Sequence, residues 1–235
     1  MTFIVAVICN KGVVVASDCQ SRRVTDNNAT KIRAQKIFEF GENKLWGSSG
    51  DEYQRSCFMS FLNKIKDENE ELSHPYLYAL FDRFANNMRK KIGDCEKRPC
   101  NEFLIVEHNE IPFIWKVTND YYKVHYFGEE HYQQLKDDGI VAIGAGQTVP
   151  RTFFNRLKSP GRDFSVEQGC IIGYRLVMEA IDSSVDVGPP VDVWTIQNEK
   201  IRRKSKADCM ELKELCNRWK ASEQLMSEMI LFSVR

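Results

Sequence analysis

Thr2-Phe3-Ile4-Val5-Ala6-Val7-Ile8-Cys9, the connection Asn10-Lys11-Gly12, and then Val13-Val14-Val15-Ala16-Ser17 decide how this chain is read. Two runs of largely β-branched residues joined by a short glycine-bearing turn are the local signature of a hairpin. A strand with one face in water alternates apolar and polar residues, but both of these runs are apolar almost without a break. The hairpin is therefore expected to be covered on both faces, inside a layered sandwich. Met1 to Cys9 is read as a strand and not as a signal peptide. It carries no basic segment, and Asn10-Lys11-Gly12 stands where a small-residue cleavage site would be needed.

Outward from this hairpin, a polar stretch from Gln20 to Gln35, rich in Arg, Asn and Thr, leads to Lys36-Ile37-Phe38-Glu39-Phe40, which alternates. Lys44-Leu45-Trp46 resumes after the turn residues Gly41 to Asn43, giving a second hairpin. The period then changes. Phe58, Phe61, Leu62 and Ile65 recur at helical spacing, as do Leu77, Leu80, Phe81, Phe84, Met88 and Ile92 beyond His74-Pro75. Strand periodicity returns in EFLIVEH (102–108), IPFIWKV (111–117), YYKVHYF (121–127) and IVAIGAG (140–146). One helix is expected around Val149 to Lys158. In a second, Val166, Cys170, Tyr174, Val177 and Ile181 mark one face, and Ser165 with Gln168 forms a capping box. VDVWTIQ (191–197) and KIRRKS (200–205) read as late strands, and an amphipathic helix follows at about 206–232. Strands, two helices, strands, two helices, strands and a helix predict one domain over 1–235, α+β in class, with sheets inside and helices outside. A doubly wound nucleotide-binding fold would alternate single strands with single helices and carry a glycine-rich loop after the first strand, which is absent.

Lys plus Arg and Asp plus Glu are 33 each in 235 residues, so the formal net charge is zero. That balance argues against a dedicated nucleic-acid binder. No apolar run approaches the ~20 residues of a membrane-spanning helix. Cys9, Cys19, Cys57, Cys95, Cys100, Cys170, Cys209 and Cys216 are scattered and form no CxxC unit, which fits reduced thiols and a cytoplasmic location. His74, His108, His125 and His131 lack metal-ligand spacing, so no metal and no cofactor is expected. No GxSxG elbow is present.

What remains for chemistry is Thr2, directly behind Met1. Removal of the methionine leaves a residue with both a hydroxyl and a free α-amine. That amine, with an ordinary pKa near ~7.7–8.0, is partly unprotonated at neutral pH and can accept the hydroxyl proton. A plain strand start is the competing reading of the same residue.

TFIVAVICNKGVVVASD (2–18), KIFEF (36–40) and LWGSSGDEYQ (45–54), in this order, resemble the N-terminal part of proteasome β-subunits and their bacterial relatives, which are N-terminal-nucleophile hydrolases. The resemblance covers about the first sixty residues. It implies a four-layer αββα sandwich of two mostly antiparallel sheets, and a threonine peptidase acting through an acyl-threonine intermediate. By it, Thr2 matches the nucleophile, Asp18 the buried acid, Lys36 the active-site lysine, and Gly50 the glycine whose N–H serves the oxyanion. An ammonium group beside the hydroxyl favours its anionic form, and a carboxylate holds the ammonium charged and in place. Without the resemblance, Asp18 reads as a strand-end carboxylate and Lys36 as a solvated edge lysine. Lys31 competes with Lys36, because the stretch after Asp18 carries two extra residues relative to the family.

Other positions depart from the family pattern. Its accessory serine, between two glycines, aligns with Ala145 of Gly144-Ala145-Gly146. Its RDxxSGG segment corresponds loosely to Val185-Asp186-Val187-Gly188-Pro189-Pro190, where Asp186 matches the aspartate after a shift. Phe3 stands where many relatives carry a second threonine. Ser48 and Glu52, flanking Gly50, are candidates for a specificity pocket or for nothing beyond the fold, and Lys200 to Lys204 reads as a solvated strand edge.

The expected function is therefore an N-terminal-threonine peptidase on peptides or unfolded proteins, freed by methionine removal with no propeptide before Thr2. The resemblance further implies a homo-oligomeric ring and admits an ATP-dependent unfoldase as partner; neither nucleic acid nor a membrane is expected. The alternatives are a catalytically silent structural or binding subunit of the same fold, and an amidase or acyl-transferase acting on a small amide. The helix at about 206–232 would serve as an oligomer contact or simply cap the sheet.

Overall fold

Both apolar runs at the head of the chain are buried along their whole length and pair as β1 (Phe3–Cys9) and β2 (Gly12–Asp18), with Val7 opposite Val14 and Ile4 opposite Ser17. The computed structural model describes residues 2–25, 28–67, 74–92, 101–108, 110–118, 123–127, 139–145, 148–157 and 163–233. Met1, Gly146, Cys95, Cys100, His131, Lys158 and the start of the 121–127 run lie outside the described residues.

The remaining strands are β3 (Gln20–Thr25), β4 (Asn28–Arg33), β5 (Ile37–Phe40), β6 (Lys44–Ser49), β7 (Glu102–His108), β8 (Pro112–Thr118), β9 (Lys123–Phe127), β10 (Ile140–Gly144), β11 (Val191–Gln197) and β12 (Lys200–Arg203). One antiparallel sheet has the order β10-β1-β2-β11-β12, and a second has the order β5-β6-β7-β8-β9. Helices α1 (Glu52–Asp67) and α2 (His74–Ile92) follow β6. Helices α3 (Thr148–Leu157), α4 (Val166–Ser183) and α5 (Lys206–Ser233) belong to the later part of the chain.

Three apolar layers hold these elements together. Phe3, Val5 and Val7 of β1, with Val14 and Ala16 of β2, pack against Phe154, Cys170, Tyr174 and Val177 of the late helices. Ile4, Ala6 and Ile8, the alternate residues of the same strand, join Leu45, Leu104, Val106 and Ile114 of the other sheet. Phe58, Leu62, Phe81 and Phe84 of α1 and α2 cover Trp46, Phe103, Ile105 and Trp115 on the second sheet's outer face. The strand period of two therefore sends successive β1 side chains into two different layers, which is why the sequence run had to be apolar throughout. Each fully enclosed large side chain contributes roughly 1.5–3 kcal/mol relative to exposure. The result is the αββα sandwich that the sequence predicts.

Ends of the elements follow their local chemistry. Ser165 accepts from the Gln168 N–H at 3.2 Å while the Gln168 side chain accepts from the Ser165 N–H at 3.0 Å, so the expected capping box starts α4. Ser205 and Asp208 exchange the same reciprocal bonds ahead of α5. Helix α5 is fastened to the body by Leu212, Cys216 and the Trp219 ring, whose centroid lies 5.6 Å from that of Phe153. Farther along, Leu225, Met226 and Met229 are exposed.

One stretch differs from the sequence reading. Part of the polar segment Gln20 to Gln35 forms the hairpin β3–β4, with Gln20 opposite Arg33 and Arg22 opposite Lys31. This hairpin is a two-stranded sheet of its own and Ile32 is exposed on it, so it carries no alternation by which it could have been recognised.

Candidate active site

Thr2 stands one residue ahead of β1 and is buried, with the parity of Ile4 and Ala6 that face the opposite sheet. Asp18 ends β2 and is fully enclosed. Lys36 stands just before β5, in the other sheet, and is 3% exposed. Closing the two sheets over one another brings these three strand ends to the same end of the sandwich.

Asp18 is the hub. Its Oδ1 accepts from Lys36 Nζ at 2.8 Å and from the Phe3 backbone N–H at 3.0 Å. Its Oδ2 accepts from the backbone N–H groups of Gln20 and Gly188, both at 3.1 Å. Four donors and one positive charge offset the cost of enclosing a carboxylate. The ammonium group and the peptide group that follows Thr2 thus share a single acceptor oxygen, which ties Lys36 to the strand that Thr2 leads. Burial pulls the Lys36 pKa below its ordinary value; Asp18 opposes that shift by charge and by hydrogen bond, while Arg55 adds to it. Lys31, by contrast, lies exposed on β4, and the cation that pairs with Asp18 is Lys36.

The Thr2 carbonyl is held from two sides, by the Ala145 N–H at 2.8 Å and by the Ser49 hydroxyl at 3.2 Å. A side chain at Gly144 would overlap that carbonyl, and Gly144 has a φ of +93°. Ala145 therefore touches Thr2 through its backbone, without the hydroxyl that the family pattern has there.

Gly50 follows β6 with a φ of +124°, and a Cβ there would overlap the Asn101 side-chain oxygen. Asp51 next to it accepts from the Tyr53 N–H at 2.9 Å and the Gln54 N–H at 3.3 Å, capping α1. The Gly50 turn therefore sits at the positive end of a helix macrodipole. The Asp51 N–H itself donates to Asn101 Oδ1.

Asp186 lies in the segment between α4 and β11, half-buried, with its N–H donating to Ser184 Oγ at 3.3 Å. That segment reaches Asp18 through the Gly188 N–H, and Gln20 Nε2 donates to the Val185 carbonyl at 3.4 Å. Ser48 is buried with the parity of Trp46, on the helix-facing side of β6, whereas Glu52 is exposed and pairs with Arg55.

Three residues that the sequence reading did not single out belong to this region. They are Ser49, Asn101 and Glu102, the last accepting from the Gly144 N–H at 2.5 Å and pairing with Lys116 at 2.9 Å. Their partners are distant in sequence and are fixed by sheet register, so no local motif could have found them. Among the described residues no group of three His, Cys, Asp or Glu side chains is arranged to hold a metal ion, and no helix is long and apolar enough to cross a membrane.

No protein-family model and no curated protein matches the sequence. Among solved structures, the Gly-1 mutant of Anbu from Hyphomicrobium sp. strain MC1 is similar with a TM-score of 0.70 and 16% identity, over 97% of this chain and 97% of that one. Anbu is a bacterial protein of proteasome-like, N-terminal-nucleophile-hydrolase fold, and the likeness at this identity establishes the shared fold.

Proposed function

We propose that this chain is an N-terminal-threonine hydrolase that cleaves amide bonds, with a peptide or unfolded protein as substrate. The observation that carries the reading is the convergence of Lys36 Nζ and the Phe3 N–H on one oxygen of the buried Asp18, beside Thr2. In this scheme removal of Met1 frees the Thr2 α-amine. The Thr2 hydroxyl adds to the substrate carbonyl and passes its proton to that amine, while the Lys36 ammonium stabilises the developing oxyanion at Oγ. The Gly50 N–H donates to the tetrahedral oxyanion. Collapse breaks the C–N bond, the leaving amine takes the proton from the Thr2 ammonium, and the acyl-threonine ester is left. Water then hydrolyses the ester, releasing the carboxylic acid and restoring threonine.

The test is covalent labelling. A peptide β-lactone or epoxyketone incubated with the purified protein is expected to leave an adduct located to Thr2 by mass spectrometry, and Thr2→Ala to abolish it. A protein that retains Met1 by intact mass, or that takes no label once Met1 is absent, overturns the scheme.

One observation favours a second reading, a catalytically silent subunit of the same fold: Ala145 supplies a backbone N–H but no hydroxyl near Thr2. The same labelling separates the two. A ring of identical subunits and a feeding unfoldase belong to the peptidase reading, and sedimentation of the purified protein tests the first of them.

A further inference from the structure

We infer that Asn101, just ahead of β7, and Glu102, its first residue, form a clamp that positions both halves of the candidate site: the oxyanion turn through Asn101 and the nucleophile through Glu102. The inference rests on the hydrolase reading and assigns positioning residues to it.

The geometry follows from the strand period. In β7, Phe103 and Ile105 face the helices while Leu104 and Val106 face the opposite sheet. Extending that alternation backwards places Asn101 on the helix side and Glu102 on the inter-sheet side. The register sets Glu102 opposite Ser49, the residue before Gly50. Asn101, which is 1% exposed, is therefore delivered to the turn at the head of α1, where its Oδ1 accepts the Asp51 N–H. The same oxygen fills the space a Gly50 side chain would take, so the Gly50 backbone rests on it. Removing this acceptor frees the turn to rotate the Gly50 N–H away from the position of the oxyanion.

Glu102 reaches across to the first sheet. Its Oε2 accepts from the Gly144 N–H at 2.5 Å, and its Oε1 pairs with Lys116, whose Nζ also donates to the Ala142 carbonyl at 3.1 Å. Lys116 and Glu102 thus grip both ends of the Ala142–Gly144 stretch. Beyond it, the Ala145 N–H holds the Thr2 carbonyl at 2.8 Å. Where the family pattern would place a serine hydroxyl, this chain has a carboxylate that acts one residue earlier, on the backbone that carries Thr2. A displacement of ~1 Å in either half is enough to cost about 100-fold in rate.

The test compares Asn101→Ala with Asn101→Asp, and Glu102→Ala with Glu102→Gln. Aspartate keeps an acceptor oxygen for the Asp51 N–H, and glutamine keeps one for the Gly144 N–H. Labelling by a peptide β-lactone is followed at several concentrations, and backbone hydrogen exchange is followed at Asp51 and Gly144. The alanine variants are expected to lose at least about tenfold in the limiting rate of adduct formation with the half-saturating concentration little changed, because orientation rather than binding is lost. Exchange at the corresponding amide should accelerate in each, while the acceptor-retaining variants stay close to wild type in both readouts. Alanine variants that label at the wild-type rate, or acceptor-retaining variants that lose as much as alanine, overturn the clamp. Unchanged exchange at both amides in the alanine variants overturns it independently of chemistry. A wild-type protein that takes no label overturns the hydrolase reading, and the exchange data then decide the clamp alone.

Discussion

Lys36 Nζ lies 2.8 Å from Asp18 Oδ1, and neither side chain has meaningful access to water, at 3% and 0% exposure. The two residues come from different sheets, so this ion pair is also a fastening between layers. A buried pair of this kind is retained at a desolvation cost that only good geometry offsets. Asp18 meets that requirement with three backbone donors in addition to the ammonium group.

Removing one partner should therefore be costly. Lys36→Met leaves an enclosed carboxylate without its counter-charge and is expected to lose about 3–5 kcal/mol in urea unfolding. Combining it with Asp18→Asn should cost less than the sum of the single changes, since the neutral amide no longer needs a cation. Lys31→Ala, at an exposed position on β4, should stay within about 0.5 kcal/mol of wild type and label normally. A Lys31 variant that loses labelling while Lys36→Met keeps it would reverse the lysine assignment.

Gly50→Ala tests the proposed oxyanion role of the turn between β6 and α1. At φ +124° an alanine is strained whatever the space, and its Cβ would overlap Asn101 Oδ1. The turn must shift, with a conformational cost of roughly 1–3 kcal/mol. If its N–H serves the oxyanion, adduct formation at Thr2 should fall about 100- to 1,000-fold. Labelling kinetics alongside a melting curve separate the chemical loss from unfolding.

Alkaline pH should unfold the protein earlier than its acidic groups would suggest. Burial pushes the Cys9 and Cys216 thiols up to about 12, and Cys19 and Cys170 up to about 11, from an ordinary 9.0. In the unfolded chain these thiols ionise from pH 9, whereas in the fold they keep their protons. Their contribution is fully present below pH 9 and drains away as pH rises towards 11–12, at about 1.4 kcal/mol per pH unit for each thiol that resists ionisation. Lys36, held below its ordinary value, acts in the opposite sense up to 10.5, but it is one group against four. Urea midpoints measured from pH 8 to pH 10.5 should fall steeply above 9, with a flatter slope in Cys216→Ala.

Arg175 should prove to be the rivet of α5. Its guanidinium group is nearly enclosed, donates to the Cys216 carbonyl at 3.3 Å, pairs with Glu179 at 2.6 Å and Glu223 at 3.1 Å, and lies over the Phe153 and Trp219 rings at 5.0 and 5.7 Å. Arg175→Lys cannot reproduce the planar fork and the two ring contacts. Either that change or Arg175→Ala is expected to cost about 2–4 kcal/mol and to speed hydrogen exchange in Lys206–Ser233 ahead of the strands. Uniform acceleration throughout the molecule would count against a local role.

How much of this was legible beforehand depended on whether a signal was local. The β1–β2 hairpin, the phenylalanine-rich helices and the Ser165 cap each carry their evidence within a few residues, so periodicity and spacing were enough to place them. The β3–β4 hairpin lies in a polar stretch whose sequence carries no apolar period. Asp18 and Lys36 came from family resemblance, because an acid at a strand end and a lysine before a strand are ordinary in themselves. Asn101, Glu102 and Ser49 act on residues 50, 144 and 2, and those pairings exist only once two sheets have stacked in one register.

The Gly188 N–H that completes the shell around Asp18 comes 170 residues after it, and β11, which follows, fills the position beside β2. Both reach the opening hairpin from far along the chain. During synthesis the opening strands must therefore wait, apolar and half-assembled, until Gly188 and β11 have been made. A nascent chain of this kind is exposed to clumping for longer than a protein of mainly local contacts. The same delay has a benefit: any hydrolytic power lodged at Thr2 is withheld from the ribosome's surroundings until Gly188 and β11 are in place.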